Sequence, residues 1–241
     1  MLELYQFQHS TFCLKVRMVL QAKKMSYRTI EITPGIGQVN VFKLSGQRKV
    51  PLLKDGENVV ADSSAIIEYL ENITKEPQLI PSEPQESTNA HIVEDWADTT
   101  LAKEIRIELI KAAAIDPSLR EALLPEELPE SFKGLISKLP LEFMNGFTQA
   151  INNEKSNNLL NSLEKISNLV RTQQWLVGNS LSIADIAVAS QLSLLSFPAS
   201  SGESLFGKGC PGYKDNPLLE PLFNWRNNLE QLLLERDPAQ I

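Results

Sequence analysis

Cysteine and histidine are nearly missing from this chain of 241 residues, which holds only Cys13, Cys210, His9 and His91. Two cysteines are too few for a disulfide framework or a cysteine zinc site, and the histidines add no recognisable ligand spacing, so no structural metal is expected. A basic run interleaved with aromatics is also lacking, and the net charge is −7. That removes the electrostatic footprint of a nucleic-acid binder. The opening Met1-Leu2-Glu3-Leu4-Tyr5-Gln6 has no basic segment followed by an apolar core, and no later run reaches transmembrane length. A soluble, cytoplasmic protein without nucleic-acid or membrane partners is expected. Its 42% hydrophobic content is enough for a proper core.

Along the chain, the first part alternates between strand and helix patterns. Leu2 to Phe7 alternates as a strand, Thr11 to Lys23 has helical spacing in Phe12, Val16, Val19 and Leu20, and Tyr27 to Ile32 alternates again. Pro34-Gly35-Ile36-Gly37 marks a loop before a weak helix around Val39 to Leu44. Pro51 to Lys54 and Val59 to Ala61 flank a hairpin signal at Asp55-Gly56, and Ser63 to Asn72 is apolar-periodic. The series β-α-β-α-β-β-α is thioredoxin-like. Pro77 to Pro84 is a proline-rich linker, and the chain beyond it reads as helical. Thr88 to Ala114 is a long amphipathic segment ended by Asp116-Pro117, Pro125 to Glu130 is an acidic connection, and helical spacing returns from Leu141 to Arg171. Ser182-Ile183-Ala184-Asp185 is a capping box, stapled by Leu181 and Ile186, that starts a central helix. Ser196 to Pro217 reads as a surface loop before a last helix from Leu218 to Glu235. The expected division is 1–76, a linker at 77–84, and an all-helical 85–241.

Two short stretches carry chemistry. Lys49-Val50-Pro51 sets a valine before a proline at the entrance to a strand, which leaves the valine N–H and C=O free for an extended peptide. Asp62-Ser63 opens a helix whose exposed N–H groups attract a carboxylate while the aspartate attracts an amine. A ligand bearing both charges fits. Asp62-Ser63 is equally an ordinary helix cap when taken alone, and Arg48 and Lys49 are equally solvated surface charges.

A thioredoxin-like domain, a proline-rich linker and a helical domain with this capping box together resemble the soluble glutathione transferase superfamily. The resemblance implies that Val50 exchanges main-chain hydrogen bonds with the cysteinyl part of glutathione, with Pro51 cis. It implies that Asp62-Ser63 holds the γ-glutamyl ammonium and carboxylate, and that Lys49 faces the glycyl carboxylate. Counting back six residues from the hydrophobic-arginine pair Val16-Arg17 reaches Ser10, the position that holds a thiolate-stabilising serine in zeta- and theta-like classes and a cysteine in omega-like and reductase classes. The tyrosine of alpha-, mu- and pi-like classes falls on Gln6, with Tyr5 one residue off and on the opposite strand face. Ser10-Thr11-Phe12-Cys13 also reads as Cys-x-x-Cys with its first cysteine replaced, which puts Cys13 at the resolving position. His9, beside Ser10, either orients glutathione or tunes Ser10 or, more often for such a residue, is a loop residue, and Arg17 is expected in a structural salt bridge rather than a ligand contact.

The function implied is transfer of the glutathione thiolate to an electrophilic small molecule, with glutathione as co-substrate and Ser10 stabilising its sulfur. Conjugation is the default, with isomerisation and reductive dehalogenation open to serine-type relatives. A binding or scaffold protein of the same fold with little turnover is the alternative, and a Cys13 disulfide reductase is a third reading. Trp96, Tyr69, Trp175 and Trp225 leave the co-substrate site unread. By resemblance the protein is a homodimer.

Overall fold

The alternation in Leu2-Glu3-Leu4-Tyr5-Gln6 produces β1 (Leu2–Gln6), in which Leu2, Leu4 and Gln6 are buried while Glu3 and Tyr5 are half-buried. The computed structural model describes residues 1–32, 37–124 and 157–235. Three sequence expectations lie outside them: the loop at Pro34 to Ile36, the acidic connection Pro125 to Glu130, and the stretch Leu141 to Ser156. Helix α1 (Thr11–Ala22) buries Cys13, Val16, Met18, Val19 and Leu20. Strand β2 (Tyr27–Glu31) lies parallel to β1, and α2 (Gln38–Ser45) stops at Gly46, whose φ of 75° suits a residue without a Cβ. Strands β3 (Leu52–Asp55) and β4 (Asn58–Ala61) form the expected hairpin, and α3 (Ser63–Ile73) follows. The sheet order is β2-β1-β3-β4, with β1 antiparallel to β3. This is the thioredoxin-like series read from the sequence.

Strand register decides where the connections emerge. Tyr5 stands opposite Leu52, and Leu52 opposite Ala61. The residues leaving β1, entering β3 and leaving β4 therefore share one end of the sheet. One sheet face carries the cluster of Ile32, Val41 and Leu52, against which Tyr5, Ile30, Val50, Val59 and Ala61 pack.

From Pro84 on, the described elements are all helices, joined by turns. Helix α4 (Pro84–Trp96) passes through a π-helical turn (Ala97–Leu101) into α5 (Ala102–Ile115), covering the long segment expected there. Asp116 ends α5 and caps α6 (Pro117–Ala122), its Oδ1 accepting from the N–H groups of Ser118 at 2.9 Å and Leu119 at 3.1 Å. Helices α7 (Asn157–Val170), α8 (Ile183–Leu192) and α9 (Glu220–Leu234) follow. Among the described residues no helix is long and apolar enough to cross a membrane.

Packing does not follow chain order. One unit takes Met1–Asp95, Trp175–Ser190 and Asn228–Ile241, and the other takes Trp96–Gln174 and Gln191–Asn227. In the first, the Lys23 ammonium, buried, holds the carbonyls of Thr74 (2.8 Å) and Pro77 (3.0 Å) and pairs with Glu71 at 2.7 Å, which fixes the chain as it leaves α3. The Ile183 N–H then donates to the Leu79 carbonyl at 2.9 Å. In the second, the Trp225 indole N–H donates to the Gln174 carbonyl at 2.8 Å, and Arg226 Nη1 to the Ser196 carbonyl at 2.8 Å.

The segment Ser196 to Pro217 departs from its reading as a surface loop. Phe197, Leu205, Cys210 and Tyr213 are buried in it, and the Cys210 N–H donates to the Leu195 carbonyl at 2.8 Å. A Cβ on Gly209 would stand 2.2 Å from the Leu195 carbonyl oxygen. Glycine is there for close backbone approach, which composition alone does not distinguish from an exposed loop.

Candidate functional site

Ser10 is the N-cap of α1, with extended backbone (φ −77°, ψ 121°) and a side-chain oxygen that accepts from the Cys13 N–H at 3.4 Å. Its own N–H donates to the Phe7 carbonyl at 2.9 Å, which closes the turn after β1. A capping hydroxyl accepts through a lone pair and keeps its hydrogen to donate. Half-buried at a helix N-terminus, Ser10 is placed to give that hydrogen to an anion.

Cys13 is fully buried, and burial pushes its thiol up, against lowering by Ser10, Phe7 and Arg17. A buried thiol held protonated is a poor nucleophile. Gln6 is buried and engaged at both ends of its amide: Oε1 accepts from Arg17 Nη1 at 2.6 Å, and Nε2 donates to Glu31 Oε2 at 3.1 Å. Tyr5 packs on the Ile32, Val41 and Leu52 cluster, on the other sheet face. Tyr69 is tied to the far end of the sheet, where its hydroxyl donates to Asp55 Oδ2 at 2.8 Å. Burial lowers the Arg17 guanidinium pKa, and besides its bond to Gln6 the group donates through Nη2 to the Gln8 carbonyl at 3.2 Å. Both bonds go to neutral oxygens, while Glu31 and Glu230 act on the charge through space.

The Val50–Pro51 peptide is cis, with Val50 half-buried on the Val41 and Leu52 cluster and Pro51 buried. Pairing of β3 with β1 begins only at Leu52, so Val50 precedes the ladder. Arg48 lies over the Phe42 ring at 5.7 Å, and Lys49 is exposed.

Asp62 caps α3 from an exposed position with φ of 83° and ψ of 136°, outside the left-handed helical region that aspartate adopts readily, so its backbone is strained. Its Oδ1 accepts from the N–H groups of Ser64 at 3.0 Å and Ala65 at 3.3 Å. Both bonds fall on one oxygen, and Oδ2 takes no part in the cap. Ser63, the first residue of α3, is buried. Register brings Ser10, Val50-Pro51 and Asp62-Ser63 to the same end of the sheet, and two helix N-termini open there.

Sequence reasoning missed the charges that stand behind Asp62. Lys15, wholly buried in α1, pairs with Glu94 of α4 at 2.8 Å and donates to Ser64 Oγ at 3.2 Å. Ser64 Oγ in turn donates to Glu94 Oε1 at 2.8 Å, and His91 Nδ1 lies 3.4 Å from Glu94 Oε2. The signal was a lysine next to Val16 on the apolar stripe of α1, since a buried ammonium requires an acid. Among the described residues no group of three or more His, Cys, Asp or Glu is placed to hold a metal ion.

Comparison with known proteins shows the family. The family model for the glutathione S-transferase N-terminal domain matches residues 4–78, and that for the C-terminal domain matches residues 138–204. The chain belongs to the glutathione S-transferase family, enzymes that transfer glutathione and use it as co-substrate. It is similar to glutathione S-transferase TCHQD of Arabidopsis thaliana, 26% identical over 80% of this chain and 78% of that protein. It is also similar to maleylacetoacetate isomerase of Rattus norvegicus, 25% identical over 79% of this chain and 76% of that one. Among solved structures, a glutathione S-transferase from Rhodospirillum rubrum F11 shares the fold with a TM-score of 0.66 at 22% identity, over 99% of this chain and 90% of that one.

Proposed function

We propose that glutathione binds at the sheet end where Ser10, Val50 and Asp62 converge, and that its thiolate, stabilised by Ser10, attacks an electrophilic small molecule. The carrying observation is that convergence: a half-buried capping hydroxyl at a helix N-terminus, a cis-proline junction ahead of the ladder, and an aspartate with one oxygen outside its cap. Val50 N–H and C=O receive the cysteinyl backbone, Asp62 Oδ2 receives the γ-glutamyl ammonium, Ser63 and the α3 N-terminus receive the carboxylate, and Lys49 faces the glycyl carboxylate. A free thiol of pKa about 8.5 is mostly protonated at neutral pH, and a hydroxyl donor beside a helix N-terminus favours the anion. The thiol proton leaves to solvent, and sulfur then bonds to the electrophilic carbon, which either releases its leaving group as an anion with the bonding pair or, in an addition, passes its π electrons to the neighbouring atom, which takes a proton from solvent.

Conjugation is the reaction proposed. The relative named maleylacetoacetate isomerase supports isomerisation as the second chemistry for the same thiolate. The functional division at 77–84 is supported by a family-model match ending at 78 and by α4 beginning at Pro84. A cytoplasmic homodimer belongs to the same reading, on resemblance.

Ser10→Ala tests the proposal. Loss of one donor aimed at developing charge costs about 2.7–4 kcal/mol in kcat/KM, while glutathione keeps its anchors and its affinity. Ultraviolet titration of the bound thiolate should show the thiol pKa rise in the variant. An unchanged pKa and rate would reduce Ser10 to a helix cap, and wild-type binding without turnover on a panel of electrophiles would favour the scaffold reading.

A further inference from the structure

The turn that carries Ser10 is short, and Gln8 within it is exposed, so core packing does not hold it. Besides the backbone bond from Ser10 to Phe7, side chains hold it. Glu31 Oε1 accepts from the Gln8 N–H at 2.6 Å, and Arg17 Nη2 donates to the Gln8 carbonyl at 3.2 Å. Both backbone groups of one exposed residue are thus fixed by charged side chains. Charge-assisted bonds are the strong ones.

The amide of Gln6 completes the arrangement. Its Oε1 accepts from Arg17 Nη1 at 2.6 Å and its Nε2 donates to Glu31 Oε2 at 3.1 Å. Gln6 and Glu31 meet because they stand directly opposite in the parallel β1–β2 ladder, and Gln6 lies on the buried face of β1. The four bonds run Arg17 to Gln6, Gln6 to Glu31, Gln8 to Glu31, and Arg17 back to Gln8. The ring is closed, and every donor meets an acceptor.

We propose that Arg17, Gln6 and Glu31 are positioning residues that clamp the Gln8 backbone so that the Ser10 hydroxyl is aimed at the bound thiol. The role rests on the reading of Ser10 given above, and none of the three contacts the ligand in it. An exposed turn left to itself samples many backbone states, and a hydroxyl displaced by an ångström loses most of its value to a developing thiolate. The ring spans two strands and a helix, so it ties the turn to the rigid part of the fold.

The polarity of the ring supplies its test. In Glu31→Gln, the new amide must keep its oxygen on the Gln8 N–H, which turns its NH2 against the Gln6 NH2. Flipping Gln6 only moves the clash to Arg17. The double variant Gln6→Glu with Glu31→Gln exchanges carboxylate and amide, and restores a donor–acceptor match at all four bonds with the same net charge as wild type. Ultraviolet titration of bound glutathione, calorimetric affinity for glutathione, and turnover with the best accepted of a panel of aryl halides and isothiocyanates are read on each.

Glu31→Gln should raise the thiol pKa of bound glutathione and lower kcat by about ten- to a hundredfold while affinity stays near wild type. The double variant should recover both quantities. In a Ser10→Ala background Glu31→Gln should change neither further, because it acts through the missing hydroxyl. Should Glu31→Gln not fold, Gln6→Met, which cuts the ring at the amide, is read the same way. Normal pKa and kcat in a folded ring variant, in an enzyme that Ser10→Ala impairs, overturn the clamp and leave the Ser10 reading standing. Failure of the double variant to recover also overturns it. Indifference to Ser10→Ala itself removes the Ser10 reading, and the positioning role falls with it.

Discussion

Asp62 and Asp185 each receive backbone N–H groups at the start of a helix, Asp62 from Ser64 and Ala65 in the open, Asp185 from Leu176 and Ser182 in a fully buried site. The difference is in the capacity each carboxylate has left over. Asp185 spends both oxygens: Oδ1 accepts from Leu176 at 2.7 Å, and Oδ2 accepts from the Ser182 N–H and hydroxyl, each at 2.9 Å. Asp62 caps with Oδ1 alone. A saturated, buried acid has no capacity for a ligand and serves the fold. An exposed acid with an idle oxygen serves the helix and keeps a charge for a partner. Side-chain type is the same at the two sites, but Asp62 is the N-cap itself while Asp185, the third residue of its helix, reaches back to Ser182, and position and burial together decide the role.

Truncating the buried member should do the most damage. Asp185→Ala strands three donors, and each buried polar group left unmatched costs about 1–3 kcal/mol, so the loss should reach about 3–5 kcal/mol after relaxation. Urea denaturation measures it, and an unchanged midpoint would show that the central helix does not depend on this acid. Glutathione affinity of the surviving folded fraction should not move.

The comparison sharpens with pH, because burial pushes the Asp185 carboxyl up to about 6 from an ordinary 3.8, chiefly through desolvation that its hydrogen bonds only partly offset. The folded state then binds the proton more tightly than the unfolded chain. Stability from this group is fully present below about pH 4 and is lost as pH rises through about 6. A shift of two units corresponds to roughly 2–3 kcal/mol. Subtracting the stability of Asp185→Asn from that of wild type isolates the group, and the difference should fall by about that amount between about pH 4 and about pH 7. A flat difference would mean that the buried site leaves the acid no harder to ionise than water does.

How much of this could be read from the chain depends on how far apart the partners are. Pro51, Asp62 and the Ser182 to Asp185 box are local signals, in which proline lacks a donor and short acids cap helices, and each is where its own few residues placed it. The element order was legible for the same reason. Leu176, the third partner of Asp185, lies nine residues away across a turn that no periodicity describes. The ring beneath Ser10 needed the register of β1 on β2, which pairs Gln6 with Glu31 across 25 residues. Lys15 meets Glu94 across 79 residues, through packing of α1 and α4. Sequence patterns report one element at a time, and these contacts belong to pairs. Gly209 shows the opposite failure, since a glycine-rich segment reads as exposed when its glycine is required by burial.

The smallest expected change in stability is at Asp62, and it separates the two uses of the exposed acid most cleanly. Asp62→Asn keeps an oxygen for Ser64 and Ala65, asparagine caps as well as aspartate, and with the same shape it meets the same backbone strain at this position. Unfolding free energy should therefore stay within about 0.5 kcal/mol of wild type. The charge is gone, however, and with it the attraction for an ammonium. If Oδ2 holds the γ-glutamyl amine, the lost charge-assisted bond should weaken glutathione by about 1.5–3 kcal/mol, or about ten- to a hundredfold in Kd by calorimetry. Wild-type affinity together with wild-type stability in Asp62→Asn would make Asp62 a cap and nothing more, and the contrast with Asp185 would shrink to one of burial without function.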